Sequence, residues 1–82
     1  MIMIMYNLES IAQQIATKAS SIAVLDNLFK NEYLIDNVTE EILTDIGFKF
    51  VSYDNRDNTP IYTMENLMAC YKDNVLHLFQ ID

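Results

Sequence analysis

The chain has 82 residues, of which 51 % are apolar and 21 % charged, and twelve Asp and Glu against five Lys and Arg give a net charge of -7. This length predicts one domain over residues 1–82, and the apolar content excludes an intrinsically disordered chain. A single cysteine excludes an intramolecular disulfide, and no apolar stretch is long enough to be a signal peptide or to span a membrane. We therefore expect a cytoplasmic protein without a membrane segment.

The first predicted element is a helix that begins after Asn7, a favourable N-cap, and continues to Lys30. Ser20 and Ser21 lie near its middle, where their hydroxyls compete for backbone carbonyls, so we expect one bent helix or two shorter ones. An apolar stripe at helical spacing supports the prediction: Leu8, Ile11, Ile15, Ile22, Leu25 and Phe29. A second stripe of small residues predicts that another helix packs closely against it: Ala12, Ala16, Ala19 and Ala23.

A short second helix is predicted over residues 40–46. Thr39 is its N-cap, and Glu40 and Glu41 lie in the first turn, where carboxylates complement the helix dipole. Gly47, the only glycine, follows the last turn, where a helix end favours a residue that tolerates a positive φ.

The second half of the chain predicts an antiparallel meander of three or four strands. Residues 48–53 are rich in aromatic and β-branched side chains, and the polar loop 54–59 separates them from a second strand at 61–65. The segments LMACYK and VLHLFQI then form a hairpin closed by Asp73 and Asn74. An amphipathic helix over 64–72 is the alternative for part of this region. Together, the elements predict an α+β fold.

The hairpin register predicts two largely apolar faces. Leu67, Ala69, Tyr71, Leu76 and Leu78 share one face, and Met68, Cys70, Lys72, Val75, His77, Phe79 and Ile81 share the other. Helices are expected to cover one face. The other is expected to meet more of the chain or another molecule, which leaves a homodimer open.

Two local patterns resemble chemical sites. The register places Cys70 opposite His77, but no Asn or Asp is in an obvious position to orient the imidazole, and no glycine-rich turn offers an oxyanion site. The loop DNRDNT resembles the start of a calcium loop, but Arg56 stands where an oxygen ligand is required. We therefore predict no enzyme activity, no metal site and no cofactor.

Acidic residues are concentrated in the middle of the chain, with only Lys30 among them. Such a cluster favours a protein partner with a basic surface and disfavours direct contact with nucleic acid or anionic lipid. One interpretation is that the carboxylates imitate a row of phosphates, and the other is that they form a solvated face that keeps the domain soluble. The predicted protein-binding residues are Asp26, Glu32, Asp36, Glu40, Glu41 and Asp45.

The segment VTEEILTDIGFKF, followed by IYTMENLMACYKDNVLHLF, resembles small prophage and mobile-element proteins of Bacteroidetes that share a TEExLxxxGF-type segment. The resemblance covers residues 38–79, and Ile42 replaces the Trp that often follows the paired Glu. It implies a phage-like context, in which small acidic proteins often inhibit host defence in the manner of anti-CRISPR proteins, and a host cytoplasmic location. It transfers no site residue. The alternative function is a small homo-oligomeric structural or accessory protein.

Overall fold

A computed structural model describes residues 5–22, 24–25 and 32–81, and within them it has an α+β fold. One six-stranded sheet has the strand order β1-β2-β6-β5-β4-β3, and all neighbouring strands are antiparallel. The elements in chain order are α1 (Leu8–Ala19), β1 (Val24–Leu25), β2 (Glu32–Ile35), α2 (Glu40–Ile46), β3 (Lys49–Tyr53), β4 (Pro60–Met64), β5 (Leu67–Lys72) and β6 (Val75–Gln80).

Helix α1 begins as predicted but ends well before Lys30. The Asn7 side chain accepts a hydrogen bond from the Ser10 N–H at 2.9 Å, which confirms the N-cap. Ser20 adopts a left-handed conformation with φ 54° and ψ 46°, and the Ser21 N–H donates to the Ala16 carbonyl at 2.8 Å. These bonds close the helix at the serine pair, where the sequence indicated a bend or a division into two helices.

In the described part of the chain directly after Ser20, the predicted helical continuation is wrong. Ile22, assigned to the apolar stripe, is 81 % exposed, and residues 24–25 form β1. The predicted helical residues 26–30, with Phe29, and also Ala23 lie outside the described residues. The three other alanines of the second stripe are buried, and α1 contacts α2, β2 and β6.

Helix α2 has the predicted bounds. The Thr39 hydroxyl accepts from the Ile42 N–H at 3.3 Å. Gly47 has φ 128°, and its N–H donates to the carbonyls of Leu43 and Thr44. Both helix ends are therefore fixed by the residues that the sequence indicated.

The meander is confirmed as β3 to β6, but the predicted total of three or four strands is too low. Strand β2 pairs with β6 on the far side of the meander, and β1 pairs with β2. Residues 67–72 form β5, so the alternative helix over 64–72 is wrong. Asp73 and Asn74 both have positive φ, at 53° and 67°, as a two-residue hairpin turn requires.

One face of the sheet is buried beneath the two helices. Ile35, Tyr62, Leu67, Leu76 and Leu78 are buried in one cluster with the inward side chains of α1 and α2. The opposite face, which we call the outer face, carries half-buried side chains and lies outside that cluster: Met68, Cys70, Val75, His77 and Phe79. The predicted division of the hairpin residues between the two faces is confirmed.

Candidate interaction surface

The short helix α2 carries three of the six predicted acidic site residues. Leu43 is fully buried, and Ile42 and Ile46 pack partly against the core, so one side of the helix is anchored to the domain. Glu41 and Asp45 are exposed and lie four residues apart, on the same flank of the helix. We call this pair of side chains the acidic flank.

Glu40 has a structural partner on the sheet. The hydroxyl of Tyr62 donates to Glu40 Oε2 at 2.6 Å, although the Tyr62 residue itself is only 2 % exposed. Burial, and then the hydrogen bond to the carboxylate, raise the pKa of Tyr62 well above its usual range. Glu40 therefore holds the first turn of α2 against β4.

The segment that leads into α2 is held in a similar way. The Tyr71 hydroxyl donates to the Val38 carbonyl at 2.7 Å, and burial raises the pKa of Tyr71. Tyr62 and Tyr71 thus attach the two sides of the helix N-terminus to neighbouring strands. The position of the acidic flank is consequently set by the sheet.

Glu32 lies away from the acidic flank, on the outer face of the sheet. Its Oε1 is 2.9 Å from Nδ1 of His77, and both side chains are largely shielded from solvent. A carboxylate only accepts hydrogen bonds, so this contact places a hydrogen on Nδ1. The structure therefore separates Glu32 from the α2 carboxylates, although the sequence places them close together.

Of the two other predicted site residues, only Asp36 lies in the part of the chain that the structure describes. Asp36 is exposed in the connection between β2 and α2, and its N–H donates to the Ser21 hydroxyl at 3.2 Å. Asp26 lies outside the described residues. The described ion pairs are Arg56 with Asp54 and His77 with Glu32, and neither includes a carboxylate of the acidic flank or of Asp36.

The contact between His77 and Glu32 was not predicted from the sequence. The sequence offers no Asn or Asp in an obvious position to orient the imidazole, and the residue that does so is Glu32, 45 positions away on another strand. The predicted pairing of Cys70 with His77 is confirmed by the register. Burial nevertheless raises the pKa of the Cys70 thiol, which favours its unreactive protonated form.

The carboxylates of loop 54–59 are used within the loop itself. Asp54 accepts from the backbone N–H and the guanidinium of Arg56, and Asp57 accepts from the N–H and hydroxyl of Thr59. Within the described ranges, no group of three or more His, Cys, Asp or Glu residues has a geometry suited to a metal ion.

The chain matches no family model, no curated protein and no solved structure. In the part that the structure describes, neither helix has the length and apolar character that crossing a lipid bilayer requires.

Proposed function

We propose that this protein is a non-enzymatic binding module whose acidic flank, Glu41 and Asp45, engages a basic surface on another protein. The observation that supports this proposal is the pair of exposed carboxylates on one side of a helix that is anchored at both ends. Neither carboxylate has a cation partner among the described residues. Their charge is therefore available to an external partner.

Rigidity makes such a pair more useful for binding than two carboxylates on a mobile loop. Glu40 and Val38 are held by tyrosine hydroxyls from β4 and β5, so the flank is positioned before a partner arrives. A preorganised group loses less entropy on binding. The residues of the flank lie about 6 Å apart along the helix axis, as four residues of an α-helix require.

The partner class we propose is a nucleic-acid-binding protein of the host. A surface that binds phosphates presents clustered Lys and Arg, and fixed carboxylates are complementary to it. The resemblance of residues 38–79 to prophage proteins favours an inhibitor of host defence, acting in the host cytoplasm. The net charge of -7 would also speed association with a basic target.

The test is capture of proteins from a bacterial host lysate by the immobilised chain and by the variant Glu41→Gln/Asp45→Asn. A matched control, Gln13→Lys/Thr17→Lys, changes the net charge equally at two exposed positions of α1 with the same spacing. We expect the flank variant to lose about tenfold in capture, with the control close to wild type. Raising the salt concentration should weaken wild-type capture steeply. Equal capture by wild type and flank variant would contradict the proposal.

A second candidate function, a homo-oligomeric structural or accessory protein, is favoured by the exposed apolar side chains of the sheet. Strand β3 presents several large ones to solvent, and the outer face carries Met68, Val75 and Phe79 only half-buried. Apolar surface of this kind marks contact sites in many proteins. Sedimentation at several concentrations tests this candidate, and a strict monomer would remove it.

A further inference from the structure

The β-bulge in strand β3 brings two aromatic side chains to the same face of the sheet. In a regular strand, residues three positions apart point to opposite faces. Phe50 lies opposite Tyr62, and the register shifts between Phe50 and Ser52. Tyr53 consequently lies opposite Pro60, two positions from Tyr62. Because Tyr62 is on the face that the helices cover, the bulge aims both Phe50 and Tyr53 to that side of the sheet.

The two side chains form an exposed pair of rings, which we call the aromatic patch. The ring centroids of Phe50 and Tyr53 are 5.1 Å apart, with an interplanar angle of 64°. This edge-to-face contact favours the paired arrangement. Phe50 is nevertheless 50 % exposed and Tyr53 57 % exposed. Large rings that contact each other and still face solvent are typical of an interaction surface.

A carboxylate lies beside the aromatic patch. The ring centroid of Phe50 is 5.9 Å from that of Tyr62, and the Tyr62 hydroxyl is 2.6 Å from Glu40 Oε2. The patch and the carboxylate are thus separated by a single side chain. Glu40 is exposed, and the ion pairs among the described residues do not include it. The surface therefore combines a full negative charge with ring faces that carry partial negative charge.

The nearest cations in the sequence are placed elsewhere. Lys49 lies opposite Thr63, which follows Tyr62 in β4, so Lys49 is on the outer face of the sheet, away from the aromatic patch. The next cation along the chain, Arg56, is paired with Asp54. The group that complements the patch and Glu40 is therefore a cation from outside this part of the chain.

We propose that the aromatic patch and Glu40 bind an arginine side chain of the partner. A guanidinium is planar and weakly hydrated, so it can stack on an aromatic ring and donate hydrogen bonds in a fork to a carboxylate. The ammonium of lysine is compact and strongly hydrated, so it gains less from the rings. The site therefore favours arginine over lysine.

This inference rests on the proposed function, because the basic surface of the partner supplies the arginine. Arginines of nucleic-acid-binding proteins stack on bases and pair with phosphates. The aromatic patch and Glu40 offer the same two kinds of contact. Glu41 and Asp45, on the exposed side of the same helix, add charge that does not distinguish arginine from lysine.

The first test compares hexa-arginine with hexa-lysine, two peptides of equal charge, by calorimetric titration of the full chain. Wild type should bind hexa-arginine about two- to fivefold more tightly. Phe50→Leu should remove this preference by weakening hexa-arginine alone, and Tyr53→Leu should do the same at a more exposed position, where folding is less affected.

Phe79→Leu is the matched control for these titrations, because it makes the same substitution on the outer face of the sheet. It should keep the preference for hexa-arginine. Equal affinities of wild type for the two peptides would overturn the proposal, and so would an unchanged preference in both patch variants.

The second test locates the bound arginine by NMR. The ring currents of Phe50 and Tyr53 should move the δ-methylene proton resonances of hexa-arginine upfield on binding. The double variant Phe50→Leu/Tyr53→Leu should abolish this shift, whereas Phe79→Leu should retain it. The absence of an upfield shift with wild type would contradict stacking on the aromatic patch.

The flank variant Glu41→Gln/Asp45→Asn separates the arginine site from the proposed function. It should weaken the binding of both peptides to the same degree. Lysate capture that requires the acidic flank, together with equal binding of the two peptides, would overturn the arginine site and leave the proposed function standing. An arginine preference in a chain whose flank variant captures as well as wild type would support the arginine site and contradict the proposed function.

Discussion

Tyr62 of β4 donates its hydroxyl hydrogen to Glu40 of α2 across 2.6 Å, so a buried aromatic side chain holds one carboxylate of an otherwise exposed acidic helix. The bond divides the acidic residues of α2 by role. Glu40 secures the helix to the sheet. Glu41 and Asp45, in contrast, form no ion pair with any of the described residues.

Removal of this hydroxyl should destabilise the domain. Tyr62→Phe leaves the ring in place but deletes a hydrogen bond to a charged acceptor, which contributes about 1.5–3 kcal/mol. Urea titration followed by circular dichroism measures the free energy of unfolding. Tyr53→Phe is the control, because that residue is 57 % exposed, and it should change stability little. Equal losses in the two variants would contradict the assigned role of Tyr62.

The side chain of Asn66 should hold the backbone at Tyr6, ahead of α1, in place. Its Oδ1 accepts from the Tyr6 N–H at 2.8 Å, and its Nδ2 donates to the Tyr6 carbonyl at 3.0 Å. Asn66→Ala leaves both partly buried backbone groups unpaired, which should cost about 1–3 kcal/mol of unfolding free energy. Hydrogen exchange at the Tyr6 amide should also accelerate. Asn55→Ala serves as the control, because Asn55 is exposed. Unchanged exchange at the Tyr6 amide in Asn66→Ala would contradict the role of the two hydrogen bonds between Asn66 and Tyr6.

Ser20→Gly should stabilise the protein. The left-handed conformation of Ser20 costs a residue with a Cβ roughly 1–2 kcal/mol, and the extra unfolded-state entropy of glycine offsets roughly 0.5–1 kcal/mol of the gain. A net increase of about 0.5–1 kcal/mol in the free energy of unfolding follows. Ser10→Gly, within α1, should have the opposite sign. A loss of stability in Ser20→Gly would count against the helix end described here.

The pair of Asp54 and Arg56 should contribute to the stability of the domain at neutral pH and lose that contribution only at acidic pH. The hydrogen bonds and charge of Arg56 hold the pKa of Asp54 below its ordinary value of 3.8. A carboxyl with a lowered folded-state pKa adds stability above its unfolded pKa and loses it as the pH falls through the folded value. Carboxyl carbon shifts in an NMR titration should show the Asp54 pKa rising in Arg56→Gln and unchanged in Lys18→Gln. No rise in Arg56→Gln would contradict the pair.

Local sequence signals predicted those parts of the fold that single residues determine. Helix α2 was predicted at its observed bounds because Thr39 and Gly47 fix its two ends by short-range hydrogen bonds. The β5–β6 hairpin was predicted because Asp73 and Asn74 tolerate the positive φ of its turn.

The remaining errors arose where contacts distant in sequence decide the structure. Ser20 and Ser21 indicated a bend or break in the first helix, but serine, unlike glycine, gives no sequence signal for a left-handed helix end, so the change to strand β1 was not predicted. Strand β2 is four residues long and is stabilised by pairing with β6, which the chain reaches only some forty residues later. The contact of Glu40 with Tyr62 depends on the same long-range placement, so its effect on the acidic cluster could not be read from spacing alone.

The most direct test of the proposed function is competition by duplex DNA for the proteins that the immobilised chain captures from a bacterial host lysate. If the acidic flank occupies a nucleic-acid-binding surface, excess duplex should release the captured protein, and Glu41→Gln/Asp45→Asn should fail to retain it even without competitor. A captured protein that stays bound in excess DNA, or that binds the flank variant as well as wild type, would contradict the account.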